Sequence, residues 1–288
     1  MDQTLLKLTD NSFPVSVIEH RKTDPGALFE AHLHQHHLQL FYFVKGSAKI
    51  YYNQTSCPVT APEILLINKN ELHYGENNCP ELRYFVFRIN LKLLLSYNIV
   101  PCSQKYLECI ESGLVRFTHH ITGKPVLNLL DCIITECKER QDGYEMKIVA
   151  YVFDLLGEIF RNHKGETLTL HDSEILMQKT NRFAAVFSLI EKEYTRTITL
   201  EEAAGTVYMS KSYFCRMFKQ STGRTLTDYI NRSRIEKAAL LLNQGMCNVT
   251  DAALSVGIED INYFSRIFKK YMGQSPVKYL HNSSRYLL

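Results

Sequence analysis

Apolar residues follow two different rhythms along this chain. Between about residues 13 and 90 they come in short runs rich in aromatic and β-branched side chains: LQLFYFV, SAKIYYN, EILLIN and LRYFVFRIN, each bounded by turn-forming residues. Such runs predict β-strands. From about 104 to 162 the spacing lengthens to i, i+3, i+4, i+7, as in VLNLLDCIITECKER and EMKIVAYVFDLLGEIFRNH, which predicts amphipathic helices. Residues 163–180, HKGETLTLHDSEILMQKT, are mostly polar and weakly patterned, and read as a linker. Helical spacing resumes at 181 and continues to the end. The expectation is an α+β chain of two domains, β-rich with flanking helices over 1–162 and all-α over 181–288. A length of 288 residues suits about two domains.

The predicted helix before the linker carries a wide apolar stripe: Val149, Val152, Phe153, Leu156 and Phe160. Two readings fit it. The stripe packs on the β-rich domain, or it joins two copies as a homodimer, two-fold dimers being the commonest oligomers.

Composition narrows the compartment and the partner. The start, MDQTLLKLTD, has neither the basic nor the apolar region of a signal peptide. No apolar run reaches the ~18 residues of a membrane span. Eight cysteines without CxxC spacing read as reduced thiols, so a cytoplasmic protein is expected. The net charge of +3 conceals an asymmetry. Residues 1–180 hold 18 Lys/Arg and 21 Asp/Glu, whereas 181–288 hold 15 and 9. The last third, at +6, is suited to a polyanion.

That third also repeats itself. SYFCRMFKQSTG (Ser212–Gly223) returns 50 residues later as NYFSRIFKKYMG (Asn262–Gly273). Aligned without a gap, 199–230 and 249–280 share eight identities in 32 positions. One supersecondary unit is therefore expected twice. Each copy begins with a short helical pattern, TLEEAAGTV or VTDAALSV, with Thr199 and Glu202 spaced as a capping box. A tight turn follows, then Ser210 or Asp260 as N-cap and a second helix ended by Gly223 or Gly273. This is the helix-turn-helix form. At about 100° per residue, Phe214, Met217 and Phe218 face inward, and Ser212, Arg216 and Lys219 face out. Phe264, Ile267 and Phe268 likewise oppose Asn262, Arg266 and Lys269. Such an arc is ordinarily a solvated face. Its recurrence after the same turn, in the basic third, favours double-stranded DNA. Arg suits guanine and Asn suits adenine edges, while Lys mainly neutralises phosphate. The segment Leu226–Gly245 reads as one long connecting helix, with Ile230, Ile235, Ala238, Ala239 and Leu242 on its packing side. Arg232 and Arg234 could reach phosphate or pair with acidic neighbours.

Residues 181–280 resemble the DNA-binding domain of the AraC/XylS family of bacterial transcription regulators. The resemblance rests on ITLEEAA, SYFCRMFKQSTG, RIEKAALLL, VTDAALSVGI and NYFSRIFKKYMGQSPVKY. It implies two helix-turn-helix units on a rigid connector, with base contacts at Ser212, Cys215 and Arg216 and at Asn262, Ser265 and Arg266. Lys211, Lys219, Ile261, Lys269 and Lys270 complete the expected DNA-facing set. Tyr208 departs from the family, which often has glycine in the first turn; Gly257 matches in the second.

A second cluster is HLHQHH, His32–His37. Gly26, His32, His34, Gln39 and Gly46, with His73 and Asn77 further on, resemble the two sequence motifs of the cupin β-barrel. In metal cupins His32, His34, a glutamate at position 39 and His73 would be the ligands, with His34 and His36 as an alternative register. Gln39 lacks the anionic oxygen a divalent metal prefers, so no metal and no cofactor is assigned. A pocket for a small effector, lined by His32, His34, His36, Gln39, Tyr42 and His73 with Phe41 and Phe43 as walls, is the favoured reading. Histidines without function are the bland one.

The family resemblance thus implies a DNA-binding transcription regulator, an activator by preference, with a cupin-like β-barrel binding an effector such as a sugar, and RNA polymerase as a partner. Two other readings stay open: a metal-dependent cupin enzyme tethered to DNA, and a regulator without an effector.

Overall fold

The computed structural model describes residues 3–6, 13–23, 26–52, 55–97, 101–245 and 247–284. The chain divides into two compact units, residues 1–181 and 182–288.

Nine strands open the first unit: β1 (Gln3–Leu6), β2 (Val15–Lys22), β3 (Gly26–His32), β4 (His37–Lys45), β5 (Ser47–Tyr52), β6 (Thr55–Thr60), β7 (Glu63–Ile67), β8 (His73–Asn77) and β9 (Leu82–Asn90). Helices α1 (Leu91–Ser96) and α2 (Pro101–Glu111), strands β10 (Val115–Phe117) and β11 (His120–Ile121), and helices α3 (Lys124–Glu139) and α4 (Tyr144–Asn162) follow. Strand β12 (Lys164–Thr167) and helix α5 (Leu170–Glu193) come next. The larger sheet has the order β1-β2-β9-β4-β7-β11, the smaller one β3-β8-β5-β6, and β10 pairs with β12.

Strand alternation explains two cores. Successive side chains point to opposite faces. Leu38 and Leu40 of β4, with Phe85, Phe87 and Ile89 of β9, face helices α1–α4. Phe41, Phe43, Tyr84 and Val86 face the smaller sheet. A fully buried side chain of this kind stabilises by roughly 1.5–3 kcal/mol. Gly75 admits Phe29 to the inner core. A Cβ there would lie 2.8 Å from the Phe29 ring, which stacks on Phe41 at 5.2 Å between centroids.

The chain after the barrel is clamped by one buried amide. Asn68 donates to the Phe117 carbonyl at 3.0 Å and accepts from the Phe117 N–H at 2.8 Å. Glu71 accepts from the Asn68 N–H at 2.9 Å and pairs with Arg116 and His119.

The apolar stripe of α4 is mostly packing surface: Val152 and Leu156 are buried with Ile148, Leu155 and Ile159, while Phe153 and Phe160 lie against that core. Packing on the domain's own core accounts for Val152 and Leu156, while Val149, Phe153 and Phe160 stay half-buried. The segment 163–180 is not without structure. It holds β12 and the start of α5, where the Thr169 hydroxyl accepts from the Asp172 N–H at 3.1 Å and Ser173 donates to the Ser112 carbonyl at 2.7 Å.

The second unit is all helical: α6 (Leu200–Thr206), α7 (Lys211–Thr222), α8 (Leu226–Asn243), α9 (Val249–Ser255), α10 (Ile261–Met272) and α11 (Pro276–Ser284). Helix α8 serves two cores. Leu226 and Ile230 pack with Phe214 and Phe218. Ile235, Ala238, Ala239 and Leu242 pack with Phe264, Ile267 and Phe268.

The repeat is present, with one refinement. Helices α7 and α10 are 50 residues apart, but α6 and α9 are 49 apart, because the second turn holds one more residue. Its structural match to Tyr208 is Gly257, and both are left-handed, at φ 56° and 76°. Tyr208 adopts this conformation while 97% exposed. At Gly257 a Cβ would fall 1.7 Å from the Thr195 carbonyl oxygen, so only glycine fits there.

Candidate functional site

Helices α7 and α10 present the same face twice. Phe214 and Phe218 are buried in one, Phe264, Ile267 and Phe268 in the other. Ser212, Cys215, Arg216 and Lys219 are exposed, as are Asn262, Arg266 and Lys269, with Ser265 and Ile261 half-buried. The capping differs between copies. Asp260 accepts from the Asn262 and Tyr263 N–H groups at 2.8 and 3.1 Å, while Ser210 makes no side-chain cap bond.

Each face carries a braced guanidinium. Arg216 lies over the Tyr213 ring at 5.5 Å, and Arg266 over Tyr263 at 5.4 Å. Tyr263 is itself held by Asn231, which donates to its hydroxyl at 2.8 Å. A stacked guanidinium keeps its five donors directed outward.

Ion pairing sorts the cations of this unit. Lys211 is paired with Glu201. Lys270 binds Asp228 at 2.7 Å; although burial alone would raise it, the Asp228 carboxyl is held low by Lys270, Tyr271 and Arg224. These two lysines of the expected set are thus engaged within the fold. Arg232 pairs with Glu236 at 3.0 Å. Arg234 donates to the Tyr194 and Arg196 carbonyls at 2.6 and 2.8 Å, a structural lash and not a free cation. Arg216, Lys219, Arg266 and Lys269 have no carboxylate partner among the described residues. Four uncompensated charges therefore remain on the two recurring faces.

The first unit gathers the histidines at one end of its inner core. His32 and His73 stand opposite each other in the β3–β8 register. Their rings are 4.4 Å apart, and His34 lies 4.8 Å from His32 and 5.7 Å from His73. Nδ1 of His32 donates to the Glu30 carbonyl at 2.6 Å, and Nδ1 of His73 to the Glu71 carbonyl at 2.8 Å. Each ring is thus left with a bare acceptor at Nε2. Nε2 of His34, Nε2 of His73 and Oε1 of Gln39 are buried without a hydrogen bond. Burial holds all three rings neutral: His32 is lowered to about 4, His34 to about 2, and His73 well below the ordinary value.

The expected lining needs two corrections and one addition. Tyr42 is one residue from Phe41 and so faces the other side of β4, where it lies against the helical core near Phe85 at 6.3 Å. His36 leaves the cluster and binds Glu111 at 2.9 Å. Arg88, absent from the expected set, stands directly across from Gln39 in the β4–β9 register, on the same face. Its charge contributes to lowering His32, His34, His37 and His73.

His32, His34 and His73, with ligand atoms within 4.8 Å of one another, are the group among the described residues that could close on a metal ion. Neutral imidazoles do hold zinc. Among the described residues, however, no carboxylate joins them and the Arg88 guanidinium faces them, so a cation's charge would be opposed and not offset.

A family model described as an AraC-like ligand binding domain matches residues 14–178, more than half of the chain, and one described as a helix-turn-helix domain matches 192–282. The chain belongs to the AraC family of transcriptional regulators. Its helix-turn-helix domain binds DNA and its AraC-like domain binds a small-molecule ligand; the family is not enzymatic. Curated relatives run the length of the chain. An uncharacterised HTH-type transcriptional regulator YdeC of Bacillus subtilis is 25% identical, covering 97% of both chains. The Msm operon regulatory protein of Streptococcus mutans is 23% identical over 93% of both. The transcriptional activator RhaR of Mannheimia succiniciproducens is 22% identical over 96% of both. Among solved structures, ToxT of Vibrio cholerae shares the two-domain fold at a TM-score of 0.51 and 16% identity, over 93% of this chain and 98% of that one. Among the described residues no helix is long and apolar enough to cross a membrane.

Proposed function

We propose that this AraC-family protein activates transcription of an operon for use of a carbohydrate-class compound. Helices α7 and α10 read two major-groove segments of one non-palindromic site. Arg216 and Arg266 contact base edges with Ser212 and Cys215 or Asn262 and Ser265, while Lys219 and Lys269 neutralise phosphate. Asn262 and the fully capped α10 make the second unit the more selective. The observation that carries this reading is the recurrence of four uncompensated cations on matching faces, each Arg braced by a Tyr. The curated relatives support the carbohydrate class, since one is named a lactose operon transcription activator, from Staphylococcus xylosus, at 22% identity over 83% of this chain.

The effector occupies the end of the inner core at His32, His34, Gln39, His73 and Arg88, and its preference for one state of the chain shifts DNA binding. The test is footprinting on sites found by genome-wide mapping of the bound protein in cells. Arg216→Ala and Arg266→Ala are each expected to weaken specific binding by ~1–3 kcal/mol with the fold intact. Wild-type footprints from both variants would refute the assignment.

A further inference from the structure

Arg88 is a charged side chain on the inner face of a barrel whose neighbours there are aromatic, aliphatic or neutral. Phe41, Val86 and Tyr84 line that face along β4 and β9, with Gln39 directly across from Arg88. Arg88 has no hydrogen bond or carboxylate partner among the described residues, and its Nε is buried. Burial of the guanidinium opposes its charge. A cation placed this way, without a counter-charge, is costly unless something anionic arrives.

The other groups at the site have the opposite need. Nε2 of His34 and of His73 and Oε1 of Gln39 are buried without a hydrogen bond. On His73, Nδ1 is committed to a carbonyl, so its free nitrogen can only accept. On His32 the same commitment holds. One cationic donor thus stands beside several acceptors, inside one end of one domain.

We propose that the effector is a small hydroxylated carboxylate, such as a sugar acid: its carboxylate pairs with Arg88, and its hydroxyls donate to His32, His34, His73 and Gln39. The inference rests on the reading of this domain as an effector site and narrows its ligand class. A neutral sugar satisfies the acceptors but leaves Arg88 without a counter-charge. A bare metal cation would take the imidazole nitrogens but face the guanidinium.

The experiment is thermal unfolding of the full-length protein with D-galacturonate, D-gluconate or L-lactate, beside D-galactose, glycerol and sodium chloride at matched ionic strength. At least one hydroxy acid is expected to raise the transition of the β-rich unit by about 2–4 °C or more over its neutral counterpart. Arg88→Met is expected to abolish that increment. Without any ligand, Arg88→Met is expected to melt at or above wild type, because it removes an unpaired charge and keeps the stem volume. Stabilisation by galactose or glycerol equal to that by the acids, or by zinc chloride alone, would overturn the proposal while leaving the effector reading in place. So would an increment that survives Arg88→Met, or a ligand-free Arg88→Met that melts lower, which makes Arg88 structural. No shift with any compound would overturn it too, and the DNA assignment would still stand or fall by its footprints.

Discussion

Acid should loosen the first unit before the second, and by an amount the histidines set. His32, His34 and His73 are kept neutral in the fold by burial, the first two lowered to about 4 and about 2. In the unfolded chain each titrates near 6.5. The folded form therefore binds fewer protons than the unfolded form between those values, so stability is complete above about pH 6.5 and falls as pH drops toward about 4. From pH 7 to pH 5 each ring forfeits about 2 kcal/mol, or ~6 kcal/mol for the three. That is a large share of the ~5–15 kcal/mol typical of a folded protein. Urea unfolding of the full-length protein, followed by circular dichroism and by calorimetry to separate the two transitions, measures it. His34→Asn should remove about a third of the slope for the β-rich unit. A flat stability between pH 7 and 5, or parallel slopes for wild type and His34→Asn, would show that the rings are protonated or solvated in the fold.

Three further outcomes are expected. Gly257→Ala should cost the helical unit more than about 2 kcal/mol, from the left-handed backbone and the collision with the Thr195 carbonyl; Tyr208→Gly, at an exposed position, should stay within about 1 kcal/mol of wild type, and thermal melts decide both. Asn68→Ala should destabilise the first unit by about 2–4 kcal/mol in urea titrations, since it strands the buried N–H and carbonyl of Phe117. Lys219→Ala should lower the slope of log binding constant against log salt by about 1, whereas Arg234→Ala, which cuts a structural lash, should lower the melting temperature with that slope unchanged.

Local sequence carried far more of the second unit than of the first. Helices α7 and α10 announced themselves because buried aromatics and outward cations repeat at one spacing, and helical geometry depends only on near neighbours. Alternation in LQLFYFV and LRYFVFRIN likewise revealed β4 and β9. Strand β6, TSCPVT, was hidden by Pro58, which an edge strand tolerates. Strand β8, HYGEN, is too polar to read as a strand because its inward positions include His73 and Asn77. Tyr42 could have been rejected from alternation alone, being of opposite parity to Gln39. Arg88 could not have been found that way, since only the β4–β9 pairing, 49 residues apart in sequence, places it against Gln39. The extra residue in the second turn escaped a gapless comparison because an offset of 50 still pairs Ala203 with Ala253, although an offset of 49 pairs both Ala203 and Ala204 with Ala252 and Ala253.

Helix α8 enters two cores with one continuous backbone, and this bears on how the protein can vary. Its 18 residues span about 27 Å. Adding or deleting a single residue midway would swing Ile235, Ala238, Ala239 and Leu242 by about 100° relative to Leu226 and Ile230. Both cores could not then be filled at once, and the outward face of α10 would be swung relative to that of α7. Outward substitutions such as at Leu240, 61% exposed, cost little by comparison. Among natural variants of this protein, the length of this segment should be held constant where its lettering drifts.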